Sequence, residues 1–343
     1  MHTNKIDFCP CTLAPGFSSY SPTALKKMFG GKKVSHILDF DAPSSNEEVA
    51  ERFRQNSKII SVSGAQFKQS LLLEKNKLRL TKPGEKGTYL LKPIPYRPPF
   101  AKAEELPANE HLTMQIAKQA YGITTAENAL IFFKNGEPAY ITKRFDYTET
   151  GQKIAQEDFA TLSGLSKENN GDSYRNQGSY QDLALVLKKF VAAYSVEIEK
   201  YFELVVFNYL FSNGDAHLKN FSLQQTIHHD YLLSPAYDLL NTLIHLPNDS
   251  FFALSDGLFS DQFETKSLQT LGFYAYDDFF EFGLRIGIQK NRLKRILDKY
   301  RTENTKTRKL IEVSYLGEET KKNYEHHYLD RLKMLNNLYS QMN

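Results

Sequence analysis

Four side chains with the chemistry to act on a phosphate group lie close together near the middle of the chain. The stretch SNGDAHLKNF, residues 212–221, places Asp215, His217, Lys219 and Asn220 within six positions. Phosphoryl transfer needs a carboxylate that orients the attacking hydroxyl, oxygen ligands for Mg²⁺ and a cation beside the phosphates. Asp215 and Asn220 stand five residues apart, which is the spacing of the base and a metal ligand in a kinase catalytic loop. The stretch therefore predicts a loop for phosphoryl transfer.

Three further charged residues supply the remaining roles. Asp238, in SPAYDLL, follows a β-prone run and is placed to be a second metal carboxylate, since hard oxygen ligands suit Mg²⁺. Lys92 ends the strand-like run TYLLK, and Glu110 lies in the first turns of a predicted helix. In kinases a strand lysine paired with a helix glutamate holds the α and β phosphates. Any one of these residues alone is more often a turn or capping residue, but their joint occurrence in this order favours Mg-ATP chemistry.

The elements that must position these residues form a strand-rich part followed by a helical part. From Lys58, short β-prone runs separated by Gly, Asn and Lys predict an antiparallel sheet of four or five strands. One helix interrupts the strands, with Asn109 placed to cap it and Gly122 ending it. A hairpin with an Asn-Gly turn follows, and after Thr150 helical periodicity dominates. One apolar stripe in the helical part predicts buried core: Phe202, Val205, Val206, Tyr209 and Leu210.

Composition excludes some classes of protein. The 343 residues include 43 basic and 40 acidic ones, and the formal charge of +3 does not indicate a dedicated nucleic-acid binder. The sequence has no long apolar run and no basic-then-apolar start, so a cytoplasmic protein without membrane contact is expected. Cys9 and Cys11 are too close in sequence for an ordinary disulfide. They could be half of a thiolate metal site or simply buried residues, and the second interpretation is favoured.

Seven blocks of the sequence resemble the HipA-like serine/threonine kinases of bacterial toxin-antitoxin systems. They lie between Lys58 and Leu240 in family order: SVSGAQFKQSLLL, YLLKP, NEHLTMQIA, KRFDY, QEDFA, SNGDAHLKNFSL and SPAYDLL. The resemblance implies that Asp215 is the catalytic base and that Asn220 and Asp238 hold Mg²⁺. It also implies that Lys92 contacts the phosphates of ATP.

The resemblance assigns further nucleotide contacts around this centre. KRFD, residues 143–146, is implied to be the hinge beside adenine, where backbone groups read the base. Arg144 and Phe145 are therefore expected among the nucleotide-binding residues. Lys219 is interpreted as a neighbour of the phosphates, and His217 as a structural support of the loop.

The block SVSGAQFK resembles the family's phosphate loop, which is also its regulatory loop. Ser63, Gly64 and Ala65 are implied to lie beside the nucleotide, although a single glycine allows close backbone approach at one point only. In the family a loop serine is autophosphorylated, which moves the loop and prevents nucleotide binding; the matching residues are Ser61 and Ser63. A phosphate there adds about two negative charges, so repulsion is a sufficient cause of inhibition. Both serines could instead be ordinary strand and turn residues.

The element pattern and the resemblance together define the expected architecture. The fold class is α+β, a two-lobed protein-kinase-like fold with an antiparallel sheet and one helix in the N-lobe and a mainly helical C-lobe. Residues 1–57 are expected to form an N-terminal appendage and 58–147 the nucleotide-binding N-lobe. Residues 148–343 are expected to form the C-lobe with the catalytic and metal-binding loops. The short first segment is similar to HipT, the short form of the family.

A short-form member of this family is implied to be a toxin that causes growth arrest and persistence. Its substrate would be an aminoacyl-tRNA synthetase, with the glutamyl and tryptophanyl enzymes as family precedents. Its partners would be a helix-turn-helix antitoxin similar to HipB, which binds DNA, and a small companion protein similar to HipS. Contact with DNA is expected only through the antitoxin.

Two other functions remain open on the sequence. A small-molecule phosphotransferase of the aminoglycoside type shares the loop chemistry, but it more often has an acid-rich substrate cleft, which no segment after Asp238 suggests. A catalytically silent module that binds antitoxin or nucleic acid is favoured only by residues 290–309, with nine Lys or Arg and two acids. Steep salt dependence of direct DNA binding would favour that module. Four residues retained together argue against it: Lys92, Asp215, Asn220 and Asp238.

Overall fold

Two antiparallel sheets carry the strands of this computed structural model, which describes residues 6–43, 58–59, 67–82, 84–95, 100–148 and 150–338. The larger sheet has the order β1-β2-β4-β6-β5, with β3 paired to β2, and the smaller one has the order β7-β8-β9. The strands are β1 (Lys58–Ile59), β2 (Phe67–Glu74), β3 (Lys77–Leu80), β4 (Tyr89–Pro93), β5 (Asn128–Phe132), β6 (Pro138–Lys143), β7 (Gln156–Asp158), β8 (Ser222–Gln225) and β9 (Tyr231–Leu233).

The helices are concentrated in the second half of the chain. They are α1 (Pro22–Phe29), α2 (Leu106–Gln119), α3 (Phe159–Leu162), α4 (Lys167–Asn170), α5 (Tyr180–Phe190), α6 (Tyr194–Leu210), α7 (Lys266–Leu271), α8 (Tyr276–Arg285), α9 (Lys290–Tyr300), α10 (Thr305–Glu312) and α11 (Glu318–Leu335). Four strands of the larger sheet precede α2 and two follow it, as predicted. The two-lobed α+β class, with a strand-rich lobe before a helical one, is confirmed.

Helix α2 begins three residues before its predicted cap. Pro107 lies in its first turn, where the missing N–H of proline costs nothing. Asn109 is therefore inside the helix, and the prediction that it caps α2 is wrong. Its amide instead donates to the Asn241 carbonyl at 2.8 Å and accepts from the Asn241 N–H at 3.0 Å. A tertiary contact has taken the side chain that the local capping rule assigned to the helix end.

The described residues form two hydrophobic cores. In the first core the N-terminal segment packs on the larger sheet, where the Tyr20 hydroxyl donates to the Leu130 carbonyl at 2.7 Å. The second core fills the helical lobe and includes α2, in which every residue from Leu106 to Ala117 is buried. A helix that is buried on all sides is a fixed part of the core. The domain boundaries at residues 57 and 147 stay predictions.

The buried stripe predicted in the helical part belongs to α6. Its five residues are all inaccessible to solvent: Phe202, Val205, Val206, Tyr209 and Leu210. Because the helix ends at Leu210, the loop that follows begins at the edge of the core.

Both cysteines are free and buried in the first core. The Sγ atom of Cys9 accepts a hydrogen bond from the Ser21 N–H at 3.2 Å, next to the start of α1. Cys11 is equally enclosed, and burial raises the pKa of its thiol. The structure therefore shows both thiols packed as core residues.

Candidate active site

A compact cluster of two lysines and two carboxylates lies where the sheet meets the helical lobe. The Nζ atom of Lys92, on β4, lies 2.5 Å from Glu110 Oε1 on α2 and 2.5 Å from Asp238 Oδ1. The Nζ atom of Lys68, on β2, lies 3.0 Å from Asp238 Oδ2. The antiparallel pairing of β2 with β4 accounts for this, because the register that sets Gln69 opposite Leu91 continues to place Lys68 beside Lys92. Asp238 bridges the two like charges.

Burial and mutual attraction set the charge state of this cluster. The Lys92 and Glu110 side chains are each only 3% exposed. Burial alone would lower the pKa of Lys92, but Asp238 and Glu110 raise it above its ordinary value. Burial likewise opposes ionisation of Asp238, yet Lys68 and Lys92 hold its pKa well below the usual range. Burial raises the pKa of Glu110 to about 7 against the opposing effect of Lys92.

The backbone of Asp238 adopts a conformation that residues other than glycine rarely take. Its φ is +56°, in the left-handed region. The neighbouring residues hold it there: the Tyr237 hydroxyl donates to the Lys219 carbonyl at 2.8 Å, and the Asn241 N–H donates to Asn109. Strained backbone of this kind persists only where the surroundings determine it, and it is concentrated at functional sites.

The loop after α6 is fixed from several sides. Ser212 has a φ of +53°, its carbonyl accepts from the Thr242 N–H at 2.9 Å, and its hydroxyl accepts from Arg331 Nε at 3.2 Å. Gly214 leaves no room for a side chain, since a Cβ atom would lie 2.2 Å from Asp249 Oδ2 and 2.8 Å from the Ser250 carbonyl. The conformation of this loop therefore depends on contacts with the segment that follows Asp238.

Asp215 lies in this loop with most of its surface covered. Burial raises the pKa of its carboxyl to about 7, and the charges of Asp238 and Asp249 act in the same direction. The guanidinium of Arg175 opposes them. A carboxylate that titrates near neutrality suits a general base, because it can both accept and release a proton at working pH.

His217 is buried beside it, at 2% exposure, and neither ring nitrogen has a hydrogen-bond partner among the described residues. Burial lowers the pKa of the imidazole to about 4, and Arg175 adds to the effect, so the ring is neutral. The side-chain amide of Asn220 likewise has no hydrogen-bond partner within the described part of the chain. It ends a 3-10 turn that starts at Leu218. Amide and carboxylate oxygens are the donors that Mg²⁺ prefers, so the residue types of Asn220 and Asp238 fit a Mg²⁺ site, although both Asp238 oxygens are bound by lysines in this structure.

Lys219 faces the same cleft but is not free. Its Nζ atom lies 2.7 Å from Asp158 Oδ2, and Asp158 also caps α3 by accepting from the Thr161 N–H. Lys219, the predicted neighbour of the phosphates, is therefore paired with a carboxylate of the smaller sheet in this structure.

A cleft of about 840 Å³ runs from the charged cluster to the predicted hinge. Part of its wall is apolar, formed by Leu90, Ala126, Phe145 and Tyr237, and such a surface suits a flat ring. At the hinge the Arg144 N–H donates to the Thr88 carbonyl at 2.9 Å. The Arg144 guanidinium binds the Asp146 carboxylate at 2.9 and 2.5 Å, so this side chain is engaged within the protein.

One backbone group of the hinge is already hydrogen-bonded within the protein. The carbonyl of Phe145 accepts from Gln224 Nε2 at 2.7 Å, whereas the Phe145 N–H has no acceptor among the described residues. The Phe145 N–H is therefore not engaged by another backbone group in the described part of the chain.

Four predicted residues lie outside the described residues: Ser61, Ser63, Gly64 and Ala65. Two residues that the sequence reasoning missed belong to the site. Lys68 could have been found only through the strand register that sets it beside Lys92, and Arg175 lies in a short 3-10 helix, Tyr174–Asn176, that no sequence pattern marks. No helix among the described residues combines the length and apolar character needed to cross a bilayer.

A strand-rich lobe, a helical lobe and a cleft with a strand lysine bound to a helix glutamate define a protein-kinase-like fold. Within this class the chain belongs to the HipA-like family, because the HipA-like C-terminal domain matches residues 60–307. The resemblance to HipA-like kinases and the predicted fold class are confirmed.

Curated relatives carry kinase names. A Haemophilus influenzae protein named "Putative kinase" is 28% identical over 340 residues, covering 91% of this chain and 92% of the relative. "Putative kinase Y4dM" of Sinorhizobium fredii is 30% identical over 229 residues, covering 63% of this chain and 53% of the relative.

Solved structures share the fold at low sequence identity. HipA of Shewanella oneidensis, solved with HipB and its operator DNA, aligns with a TM-score of 0.59 at 19% identity, covering 84% of this chain and 70% of that one. The Helicobacter pylori proinflammatory kinase CtkA aligns with a TM-score of 0.50 at 16% identity, covering 79% and 90%.

Proposed function

We propose that this protein is an ATP- and Mg²⁺-dependent serine/threonine protein kinase. The observation that carries the proposal is the position of Lys92 between Glu110 and Asp238, at 2.5 Å from each, at one end of the cleft. A buried ammonium held in this way gives the α and β phosphates a fixed cationic partner. Arginine in place of this lysine would not fit the two carboxylates with the same compact geometry.

The nucleotide would lie along the cleft with its adenine at the hinge. The open N–H of Phe145 would donate to the base, and Leu90, Ala126 and Tyr237 would cover its faces. The phosphates would then reach Lys92 and Lys68 at the other end. We assign residues 58–147 to the nucleotide-binding lobe on these grounds.

The reaction would follow from the loop chemistry. Asp215 would accept the proton of a serine hydroxyl as the hydroxyl oxygen forms a bond to the γ-phosphorus, and the bond from that phosphorus to the β–γ bridging oxygen breaks, releasing ADP. Asn220 and Asp238 would hold Mg²⁺, which supplies charge neutralisation on the phosphates when bound. The neutral His217 adds no positive charge beside Asp215 that would lower the pKa of this base.

The biological role we infer is that of a toxin kinase. Its substrate would be a serine of an aminoacyl-tRNA synthetase, tryptophanyl or glutamyl, and its partners a HipB-like helix-turn-helix antitoxin and a HipS-like companion. The Shewanella neighbour, solved with HipB and operator DNA, supports the antitoxin. The substrate and the companion rest on the resemblance to the short family form.

The first test is transfer of label from γ-³²P-ATP in the presence of Mg²⁺, with and without a cell extract, followed by mass spectrometry of each labelled band. We expect label on a synthetase and its loss in Asp215→Asn, while nucleotide binding persists. Asp298→Asn, which removes an exposed carboxylate on α9, is the matched control. Full turnover in Asp215→Asn would refute the assignment, and ATP binding without transfer to any protein would favour a small-molecule phosphotransferase.

Regulation by autophosphorylation has a separate test. Ser61→Ala combined with Ser63→Ala should abolish self-labelling and prolong transfer to the substrate, because no phosphate then repels the nucleotide. Self-labelling at the wild-type level in the double variant would place the regulatory serine elsewhere.

A further inference from the structure

Both oxygens of the proposed metal carboxylate are bound by lysines. Asp238 Oδ1 lies 2.5 Å from Lys92 Nζ, and Oδ2 lies 3.0 Å from Lys68 Nζ. Side-chain exposure is 18% for Asp238 and 16% for Lys68, so little water competes for these contacts. In this arrangement each carboxylate oxygen has an ammonium within 3.0 Å, and that positive charge repels a divalent cation unless one lysine leaves.

The two lysines are not equally able to leave. Lys92 is held by a second carboxylate, Glu110, at 2.5 Å and is 3% exposed. Lys68 has no other hydrogen-bond acceptor among the described residues, is more exposed, and directly follows the stretch SVSGAQF that the resemblance assigns to the phosphate loop. Lys68 is therefore the removable cation of the cluster.

We propose that Lys68 occupies the metal-binding oxygen of Asp238 in the nucleotide-free protein and transfers to the phosphates when nucleotide arrives, so that metal and nucleotide bind together. The inference rests on the proposed function, since it needs a nucleotide in the cleft. Its physical basis is competition. A phosphate chain carries more negative charge than one carboxylate, so it attracts the ammonium, and the freed oxygen can then bind a metal ion.

A permanent ion pair that only stabilises the fold is the competing explanation. In that case Lys68 would stay on Asp238 in every state, and the gain in Mn²⁺ affinity that the phosphates of ADP themselves provide would be the same in the wild type and in Lys68→Met. The two explanations differ in whether the ADP-dependent gain in metal affinity shrinks when Lys68 is removed, which can be measured without any catalytic turnover.

The test is Mn²⁺ binding to the full chain, followed by electron paramagnetic resonance of the free ion. In the wild type without nucleotide we expect weak binding that strengthens at least about tenfold when ADP is added. Lys68→Met should bind Mn²⁺ at least about tenfold more tightly than the wild type in the absence of ADP, because an adjacent positive charge is gone and Oδ2 is open. The ADP-dependent gain should shrink accordingly in this variant.

Lys86→Met is the matched control. It removes the same charge from an exposed lysine that lines the same cleft but does not contact Asp238. Equal gains in Mn²⁺ affinity in both variants would indicate a general field effect and overturn the proposal, as would unchanged affinity in Lys68→Met. Lys68→Gln, which also removes the charge but keeps a polar side chain, gives the same comparison if Lys68→Met folds poorly.

Failure of this inference can be told from failure of the proposed function. If the wild type does not bind a fluorescent ADP analogue at all, the proposed function fails. If it binds ADP and Mn²⁺ independently of one another, the kinase assignment stands and the role of Lys68 is refuted.

Discussion

Removal of Lys92 should leave one buried carboxylate without any partner. In Lys92→Met, Asp238 keeps Lys68 at 3.0 Å, whereas Glu110 loses its hydrogen-bond donor while only 3% exposed. Breaking a buried pair by removing one partner costs about 3–5 kcal/mol, since the remaining charge has been taken out of water. We expect a loss of that size in the free energy of unfolding at pH 8.5.

The loss should depend on pH in a defined direction. With Lys92 present the pKa of Glu110 is already raised to about 7, and without it the pKa must rise further. The pKa of a glutamate in the unfolded chain is about 4.3. Between that pH and the raised pKa of Glu110 in the folded variant, the folded state binds one more proton than the unfolded state. The stability of the variant therefore falls as pH increases, by up to about 1.4 kcal/mol per pH unit. At pH 5.5 Glu110 is protonated in the folded variant and needs no cation. We therefore expect the penalty to shrink to about 1–2 kcal/mol there, the cost of lost packing.

Urea unfolding followed by far-UV circular dichroism measures this, since the chain contains no tryptophan. The double variant Lys92→Met with Glu110→Gln removes both charges and should recover most of the loss at pH 8.5. Lys77→Met, which removes an exposed lysine paired with Asp39, should have no measurable effect. A double variant as unstable as the single one, or a penalty equal at both pH values, would refute the account of the cluster.

Three more outcomes follow from the same geometry. The rate of phosphoryl transfer should fall about tenfold per pH unit below pH 7 as Asp215 becomes protonated. Arg175→Ala should move this part of the pH–rate profile to higher pH, because Arg175 lowers the pKa of Asp215. An unchanged pH–rate profile in that variant would contradict the interaction between Arg175 and Asp215. Gly214→Ala should reduce the rate by about 100-fold or more with little change in melting temperature, since a Cβ atom would lie 2.2 Å from Asp249 and displace the loop; wild-type turnover would show that the loop tolerates the shift. Asp238→Asn should abolish the gain in ADP affinity that Mg²⁺ provides, and calorimetry that still finds this gain would move the metal ligand elsewhere.

Local pattern explains which parts of this site were predictable from the sequence. Lys92 and Glu110 were assigned from a strand end and a helix start, and both assignments depend only on neighbouring residues. Lys68 was missed because its role depends on a strand register between residues more than twenty positions apart, which no periodicity encodes. Asn109 was misassigned for the opposite reason, since a valid local capping rule was overridden by the contact with Asn241.

Tertiary packing also determines the role of the N-terminal segment. The sequence predicts an appendage there, but the Tyr20 hydroxyl donates to the Leu130 carbonyl of the sheet, and the Met28 carbonyl accepts from the Tyr89 hydroxyl. Hydroxyl-to-carbonyl contacts over such sequence distances leave no trace in composition. The segment therefore contributes to the sheet that carries Lys92.

Helix α2 fixes Asp238 through two adjacent residues that point in different directions. Glu110 holds Lys92, which binds the Asp238 carboxylate, while Asn109 holds the backbone of Asn241 three residues beyond it. Because α2 is buried along its length, it cannot swing outward without opening the core, and the glutamate-to-lysine pair should persist in the presence and absence of nucleotide. The freedom needed for regulation must then lie on the opposite side of Asp238, where Lys68 is held by a single contact. For this reason we expect a switch in this protein to act through Lys68, and hydrogen exchange that instead showed α2 opening on loss of nucleotide would contradict this view.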